Sequence, residues 1–269
     1  PMGRAPSAAG TGVPFVDLQR DTSRTYDAKG MQLRICDAVM DGAFLINLPV
    51  LKGHCQTHVT CALKNAKSVI PNAEKRRFHT LGLHKPIAHL NTVVRWGFIL
   101  VENICGDLDF EEGGNPVTMN RILGCFDPVL CDSFVCQTMG YEICEVPYIG
   151  LAERLGVGSS DLSKAKIIAL NDGVAAGQKS TRRIAALEKY TAPDSACSAC
   201  YGSLIYALNK LENEYGRLNL PDRICIGQGY RGKTGELGVG NCTCKFAQTV
   251  GGCPPTAGAI CEFLSARMK

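Results

Sequence analysis

The sequence predicts an α/β protein, with a mostly parallel sheet flanked by helices and a C-terminal cysteine-rich, cluster-binding unit. Three observations lead there. Short apolar runs stopped by Pro or Gly alternate with stretches of helical spacing. A chain of 269 residues, 45% of them hydrophobic, can bury one sizeable core and a smaller appended unit. Beyond residue 190, cysteines gather in glycine-rich turns. The apolar runs at 43–48 and 96–101 are far shorter than the roughly 20 residues a membrane-spanning helix needs. The opening PMGRAPSAAGTG lacks the apolar stretch of a secretory signal and reads as a loop or a ragged edge. A cytoplasmic chain without membrane contact is therefore expected.

Residues 43–48, AFLINL, stop at Pro49 and read as a buried strand. LKGH then falls at the strand's C-terminal end, the edge where open α/β sheets bind ligands. Residues 56–66 carry helical spacing, with Val59, Ala62 and Leu63 on one side. A second strand over 98–101 runs into the acidic loop ENICGDLDFEEGGNP. Asp127 and Pro128 have the chemistry of a helix cap and first helical position, for a helix to about 139. Residues 147–155 form a short helix, 166–170 a strand and 182–190 a helix. The linker TAPDSA, 191–196, divides an α/β domain, 1–190, from a cysteine-rich region, 191–269. Beyond it, Leu204, Ile205, Leu208 and Leu211 give 201–215 a helical face that Gly216 ends. RICIG, 223–227, is a strand, and Cys253-Pro254-Pro255 opens the last helix.

The cysteines number fifteen, so disulfide pairing within the chain leaves one thiol over. A chain with its own core and no export signal is better read as reduced, with some thiols as metal ligands. Cys197 and Cys200 form a Cys-x-x-Cys directly before a helix, and Cys242 and Cys253 lie in glycine-flanked turns. These four are the candidate ligands of a 4Fe-4S cluster, which needs thiolates converging from several directions and amides near its sulfides. Structural zinc is the rival, but ribbons use a tight second pair and this one is eleven positions apart. Cys244 and Cys225 are near enough to replace a ligand. In an extended segment Cys242 and Cys244 would face opposite ways, and Cys253 at a helix start would gain a stabilised thiolate. Cys125, Cys131, Cys136 and Cys144 read as small core residues.

Between Lys52 and Arg95 stand eight Lys or Arg, one acid (Glu74) and all five histidines, followed by Glu102, Asp107, Asp109, Glu111 and Glu112. A solvated basic face is the plain interpretation. The sharper one is a site for a small carboxylate or phosphate lined by Lys52, His54, Lys64 and His79, with His58 one helical turn past His54. Nucleic acid is excluded as the main partner, since the stretch has few aromatics and no binding motif. Gly227-x-Gly229-x-x-Gly232 follows a strand, but KTGELGVG cannot open the helix that a dinucleotide's pyrophosphate needs.

The blocks INLPVLKGHCQTHVTCALKNAKSVIP, FH, GGNP and CFDPVLCD with Met139-Gly140 resemble the domain of unknown function 362 family over about residues 30–172. Its first block, Asn-x-Pro-x-x-Lys-x-His with a following Thr and Lys-Asn, is matched by Asn47, Pro49, Lys52, His54, Thr60, Lys64 and Asn65. Its Asp-Pro and second Asp are matched by Asp127, Pro128 and Asp132, while Glu102 stands where an aspartate is usual. The resemblance implies iron-sulfur ligands in or beside the domain, and a further α/β stretch before the part seen here. GNCT and GCPP are similar to blocks of cluster proteins, including the small cluster-bearing subunit of respiratory complex I.

The expected function is electron transfer or cluster-dependent redox chemistry on a small anionic substrate, with a redox partner protein. His54 or His79 would move protons, and the anion site and the cluster are expected to be separate. The Lys/His block also resembles lactate racemase, which implies a nickel-type enzyme as one alternative. A non-catalytic cluster carrier or scaffold is the other.

Overall fold

The computed structural model describes residues 12–111, 113–170 and 180–268. Residues 1–11, read above as a loop, and Glu112 of the acidic run lie outside these, as do residues 171–179. Strands β1 (Ser23–Ala28) and β2 (Met31–Cys36) form an antiparallel hairpin, and α1 (Asp37–Met40) leads to β3 (Ile46–Asn47). A second hairpin follows, β4 (Lys52–His54) with β5 (His58–Thr60), then α2 (Ala62–Asn65), α3 (Asn72–Leu81) and α4 (His84–Leu90). Next come β6 (Phe98–Gly106), β7 (Val117–Cys125), α5 (Pro128–Thr138) and α6 (Pro147–Arg154).

The C-terminal part holds α7 (Arg183–Leu187), β8 (Thr191–Pro193), α8 (Ser198–Tyr215), β9 (Ile224–Ile226), β10 (Leu237–Val239), β11 (Gln248–Val250) and α9 (Ala257–Ser265). Its sheet is parallel throughout, in the order β11-β10-β9-β8. The N-terminal sheet, β3-β6-β7, is mixed: β3 runs parallel to β6, and β7 antiparallel to it. The α/β class therefore holds, and the mostly parallel sheet holds for the C-terminal part. One hydrophobic core gathers Leu33, Leu63, Phe78, Ile99 and Tyr148, and another Leu187, Leu204, Leu208, Ile226 and Ile260. Cys55 and Phe110 belong to the second core although they lie early in the chain, so the hairpin turn and acidic loop pack on the C-terminal part.

Helices α5 and α8 form as their residues dictate. Asp127 accepts hydrogen bonds from Val129 and Leu130 N–H with Pro128 in the first turn, and Gly216 at φ 76° ends α8. Other elements differ from expectation. The run at 43–48 is an edge strand with Asn47 buried and Phe44, Ile46 and Leu48 exposed, because only one face of the sheet is covered by helices. Residues 56–66 make the second strand of a hairpin before the four residues of α2, so His54 and His58 face each other across the hairpin. The basic EKRR lies within α3. Residues 166–170 form no strand, and Ile167, Ile168 and Leu170 are exposed. The supposed linker is β8, with Thr191 fully buried. Among the described residues, no helix is long and apolar enough to cross a membrane.

Candidate functional site

Cys197 is the N-cap of α8 and Cys200 lies in its first turn, where the unpaired N–H groups of an 18-residue helix favour negative charge. Cys242 comes from a 3-10 turn, Asn241–Thr243, and Cys253 from the loop before α9. Asn241 joins the last two: its N–H donates to the Gly252 carbonyl at 3.0 Å, and its Oδ1 accepts from Gly252 N–H at 2.7 Å. Gly252 is required there, since at φ 133° an added Cβ would stand 2.4 Å from Pro255 Cα. Cys242 and Cys253 are thereby held together, and both act electrostatically on Cys197 and Cys200. Burial and the neighbouring Cys242 and Cys253 push the Cys197 thiol up. Burial, then Cys197, Cys253 and Cys242, push Cys200 up to about 12.

Two polar groups missed by sequence reasoning attend these thiols. Gln228 Nε2 donates to Cys197 Sγ at 3.6 Å, and the Arg231 guanidinium interacts with Cys242. Both lie in GQGYRG, whose glycine spacing resembles a dinucleotide fingerprint without the helix one needs. Gly227 leads into a 3-10 turn, Gln228–Tyr230, and its hydrogen atom is needed because a Cβ would fall 2.0 Å from the Asp194 carbonyl oxygen. Cys244 is exposed, and Cys225 interacts with Tyr230. Cys253 precedes the Thr256 cap of α9, so the helix-end stabilisation expected for it falls to Cys197 and Cys200. Among the other cysteines, Cys131 and Cys136 are buried as expected, Cys125 is half-buried and Cys144 is exposed.

The basic block converges on Glu111. His54 Nδ1 accepts backbone N–H bonds from Gln56 (3.0 Å) and Thr57 (3.2 Å), which leaves the proton on Nε2, 2.9 Å from Glu111 Oε2. Lys64 Nζ stands 3.7 Å and Lys52 Nζ 4.0 Å from Oε1, and Lys52 also donates to the Glu111 carbonyl at 3.3 Å. Burial, reinforced by Lys64, lowers His54 to about 3, so it is a neutral donor at pH 7. Burial alone would raise Glu111, yet the His54 hydrogen bond and the charges of Lys64 and Lys52 hold it well below the usual carboxylate range. The expected anion seat thus already contains a carboxylate of the protein. Gly53 permits this: its N–H donates to the Asp107 carbonyl at 2.8 Å, and a Cβ would meet the Asp109 backbone at 2.5 Å. Gly53→Ala is expected to displace the acidic loop and cost about 1–3 kcal/mol by overpacking, measured by chemical denaturation.

Lys67, also missed, is the other cation here. Burial, then Lys75, lowers its pKa to about 8 against the opposing charge of Glu111; Cys55 and Cys197 also act on it, and no hydrogen bond or ion pair of its ammonium occurs among the described residues. Lys64 falls to about 8 for the same first reason. The hairpin turn docks on the loop bearing Cys197: Gln56 Nε2 donates to the Ala196 carbonyl (2.9 Å), and Ser198 Oγ donates to Gln56 Oε1 (2.8 Å). The basic site and the cysteines, expected to be separate, are therefore neighbours. Beside them a pocket of ≈ 270 Å³ is lined by Gln56, His79, His84, Ser195, Glu188 and Tyr201. Burial, then the charge of Lys67, lowers His79 to about 4, and the Nδ1 atoms of His79 and His84 are buried without a partner.

A family model described as Domain of unknown function (DUF362) matches residues 2–137. The chain is also similar to a thylakoid-associated protein of Synechocystis sp. (strain ATCC 27184 / PCC 6803 / Kazusa). The two are 24% identical over 159 residues, which cover 54% of this chain and 47% of that protein. The chain thus spans about half the length of the curated relative it matches. No solved structure matches it.

Proposed function

The chain belongs to the family of the domain of unknown function 362, and from that premise we propose an iron-sulfur protein that carries out redox chemistry on a small anion beside its cluster. The observation that carries this reading is the docking of the hairpin turn on the Cys197 loop, through Gln56 to Ala196 and Ser198, which makes the basic block with its Lys67 a neighbour of the cysteines. Cys197, Cys200, Cys242 and Cys253 fit a 4Fe-4S cluster in chemistry, in number and in their polar attendants. Among the described residues, the candidate ligand groups whose donor atoms all lie within 4.8 Å are His54-Cys55-Glu111 and Cys61-Cys131-Asp132. The four cysteines are not such a group, and a single zinc ion would hold its sulfurs about 3.8 Å apart. Once bound, the cluster supplies one-electron transfer.

The protein's own residues supply the rest. Lys67 attracts the anion, and His79 presents Nδ1 from the pocket wall as a proton acceptor. His54 fixes Glu111, and Glu111 keeps Lys52 and Lys64 in place. Both ring nitrogens of His54 are engaged, which leaves it no lone pair for nickel and favours the iron-sulfur reading over a nickel-type enzyme.

Anaerobic purification with iron and acid-labile sulfide counts tests the cluster, and a chain without near-stoichiometric iron and sulfide would end the reading. With the cluster in place, phosphate or a short carboxylate should perturb its paramagnetic spectrum. Lys67→Ala should abolish that response and leave the iron count unchanged. Because Lys64 and Lys67 lose their protons near pH 8, anion binding should be strongest below that pH and fade as pH rises through it. A response that is independent of pH from 6 to 10 would remove the lysines from the site.

A further inference from the structure

We infer that Cys61, Cys125, Cys131 and Asp132 form a second metal site, which holds one divalent cation of the zinc class in tetrahedral coordination. The four residues come from different parts of the N-terminal core. Cys61 is the N-cap of α2, Cys125 ends β7, and Cys131 and Asp132 lie in the first half of α5. Donor atoms of Cys61, Cys131 and Asp132 all lie within 4.8 Å of one another, and the sulfurs of Cys61 and Cys131 are 4.0 Å apart. The Cys125 thiol donates to the Asp127 carbonyl at 3.2 Å and interacts electrostatically with Cys131, which places it as the outer, fourth member of the group. Zinc-thiolate bonds of about 2.3 Å set sulfurs about 3.8 Å apart across a tetrahedron, so Cys61 and Cys131 already stand near ligand spacing.

Core packing explains buried thiols, which behave as small hydrophobes. It does not explain a carboxyl group among them. Asp132 is 0% exposed and has no ion pair among the described residues. Its oxygens accept the Leu63 N–H at 3.2 and 3.4 Å, and the Tyr148 hydroxyl, which donates to the Val59 carbonyl at 3.1 Å, lies nearby. Such outer partners are what fix the orientation of a ligating carboxylate. Cys125 is half-exposed and provides the entry path. On binding, each thiol gives its proton to solvent as its sulfur bonds to the ion, with no change of oxidation state. The site shares no residue with the C-terminal cysteines and stands whether or not those hold iron.

Cobalt(II) is the probe, because its thiolate charge-transfer and tetrahedral ligand-field bands report both ligand type and geometry. The full chain carrying Cys197→Ser, Cys200→Ser and Cys242→Ser should bind one cobalt per chain with a tetrahedral thiolate spectrum, and zinc should displace it. Adding Cys131→Ser should remove that equivalent, with circular dichroism confirming the fold. Adding Cys125→Ser instead, at a half-exposed position, should cut the charge-transfer intensity by about a third if three thiolates ligate, and this variant decides the matter if Cys131→Ser does not fold. Failure of the triple variant to bind cobalt, or an unchanged spectrum in the folded Cys131→Ser or Cys125→Ser protein, overturns the assignment.

Discussion

Cys253→Ser should cost the protein its four-iron cluster or leave a three-iron form, while Cys244→Ser should keep four irons. The two cysteines are both exposed, so accessibility does not separate them. Their neighbours do. Cys253 acts electrostatically on Cys200, Cys197 and Arg231, whereas Cys244 appears in none of those interactions. The paired bonds between Asn241 and Gly252 bring Cys253 alongside Cys242, while Cys244 leaves the 3-10 turn on its exposed side. A serine at position 253 replaces one of four soft thiolate donors by a hard hydroxyl, and a cluster short of a thiolate sheds an iron. Anaerobic reconstitution with iron quantified and the paramagnetic spectrum recorded is the measurement. Four irons in Cys253→Ser would sink the ligand assignment, and so would their loss in Cys244→Ser. Asn241→Ala is a milder companion: it keeps every thiol and the backbone bond to Gly252 but removes the side-chain bond between them, and should reduce cluster occupancy without abolishing it.

The four cysteines can be singled out from the sequence because the chemistry proposed for them is carried by residue type and by glycine-flanked turns, neither of which needs tertiary information. Helices α5 and α8 were legible for a similar reason, since Asp127-Pro128 and Gly216 act locally. What escaped was decided by partners far along the chain. Strand β7 carries Thr118, Asn120 and Arg121, and it becomes a strand through its antiparallel pairing with β6. The hairpin β4-β5 mimics helical spacing because Val59 is buried from a strand while Ala62 and Leu63 are buried from the short helix after it. Lys67 looked like one more surface lysine, and only the docking of Gln56 on the Ala196–Ser198 loop sets it beside Cys197. Glu111 was visible as part of an acidic run, but no local pattern says that it fills the seat formed by Lys52, His54 and Lys64. Gly53 held a clue, because a glycine between Lys and His at a strand end marks a close backbone approach.

Glu111→Ala is the substitution that separates an occupied seat from a vacant one. The carboxylate now serves three donors: His54 Nε2 at 2.9 Å and the ammonium groups of Lys64 at 3.7 Å and Lys52 at 4.0 Å. Lys64 is only 7% exposed, so loss of its counter-charge leaves a buried cation without compensation. In a buffer free of small oxyanions the variant should be less stable by about 1–3 kcal/mol, the usual cost of leaving a buried polar group unsatisfied. The same seat can then admit an external carboxylate or phosphate. At one hundred times its dissociation constant, such an anion restores about 2.7 kcal/mol. Thermal unfolding with increasing acetate or phosphate should therefore raise the midpoint of Glu111→Ala much more steeply than that of the wild type, whose seat is filled. The acid side supplies a check of sign. Glu111 is held below the ordinary glutamate value of 4.5 in the folded state, so its contribution to stability is present above that value and is lost as pH falls below it. The part of the stability difference due to this ionisation should accordingly shrink below pH 4.5. An anion response equal in the two proteins would show that Glu111 does not occupy the anion seat.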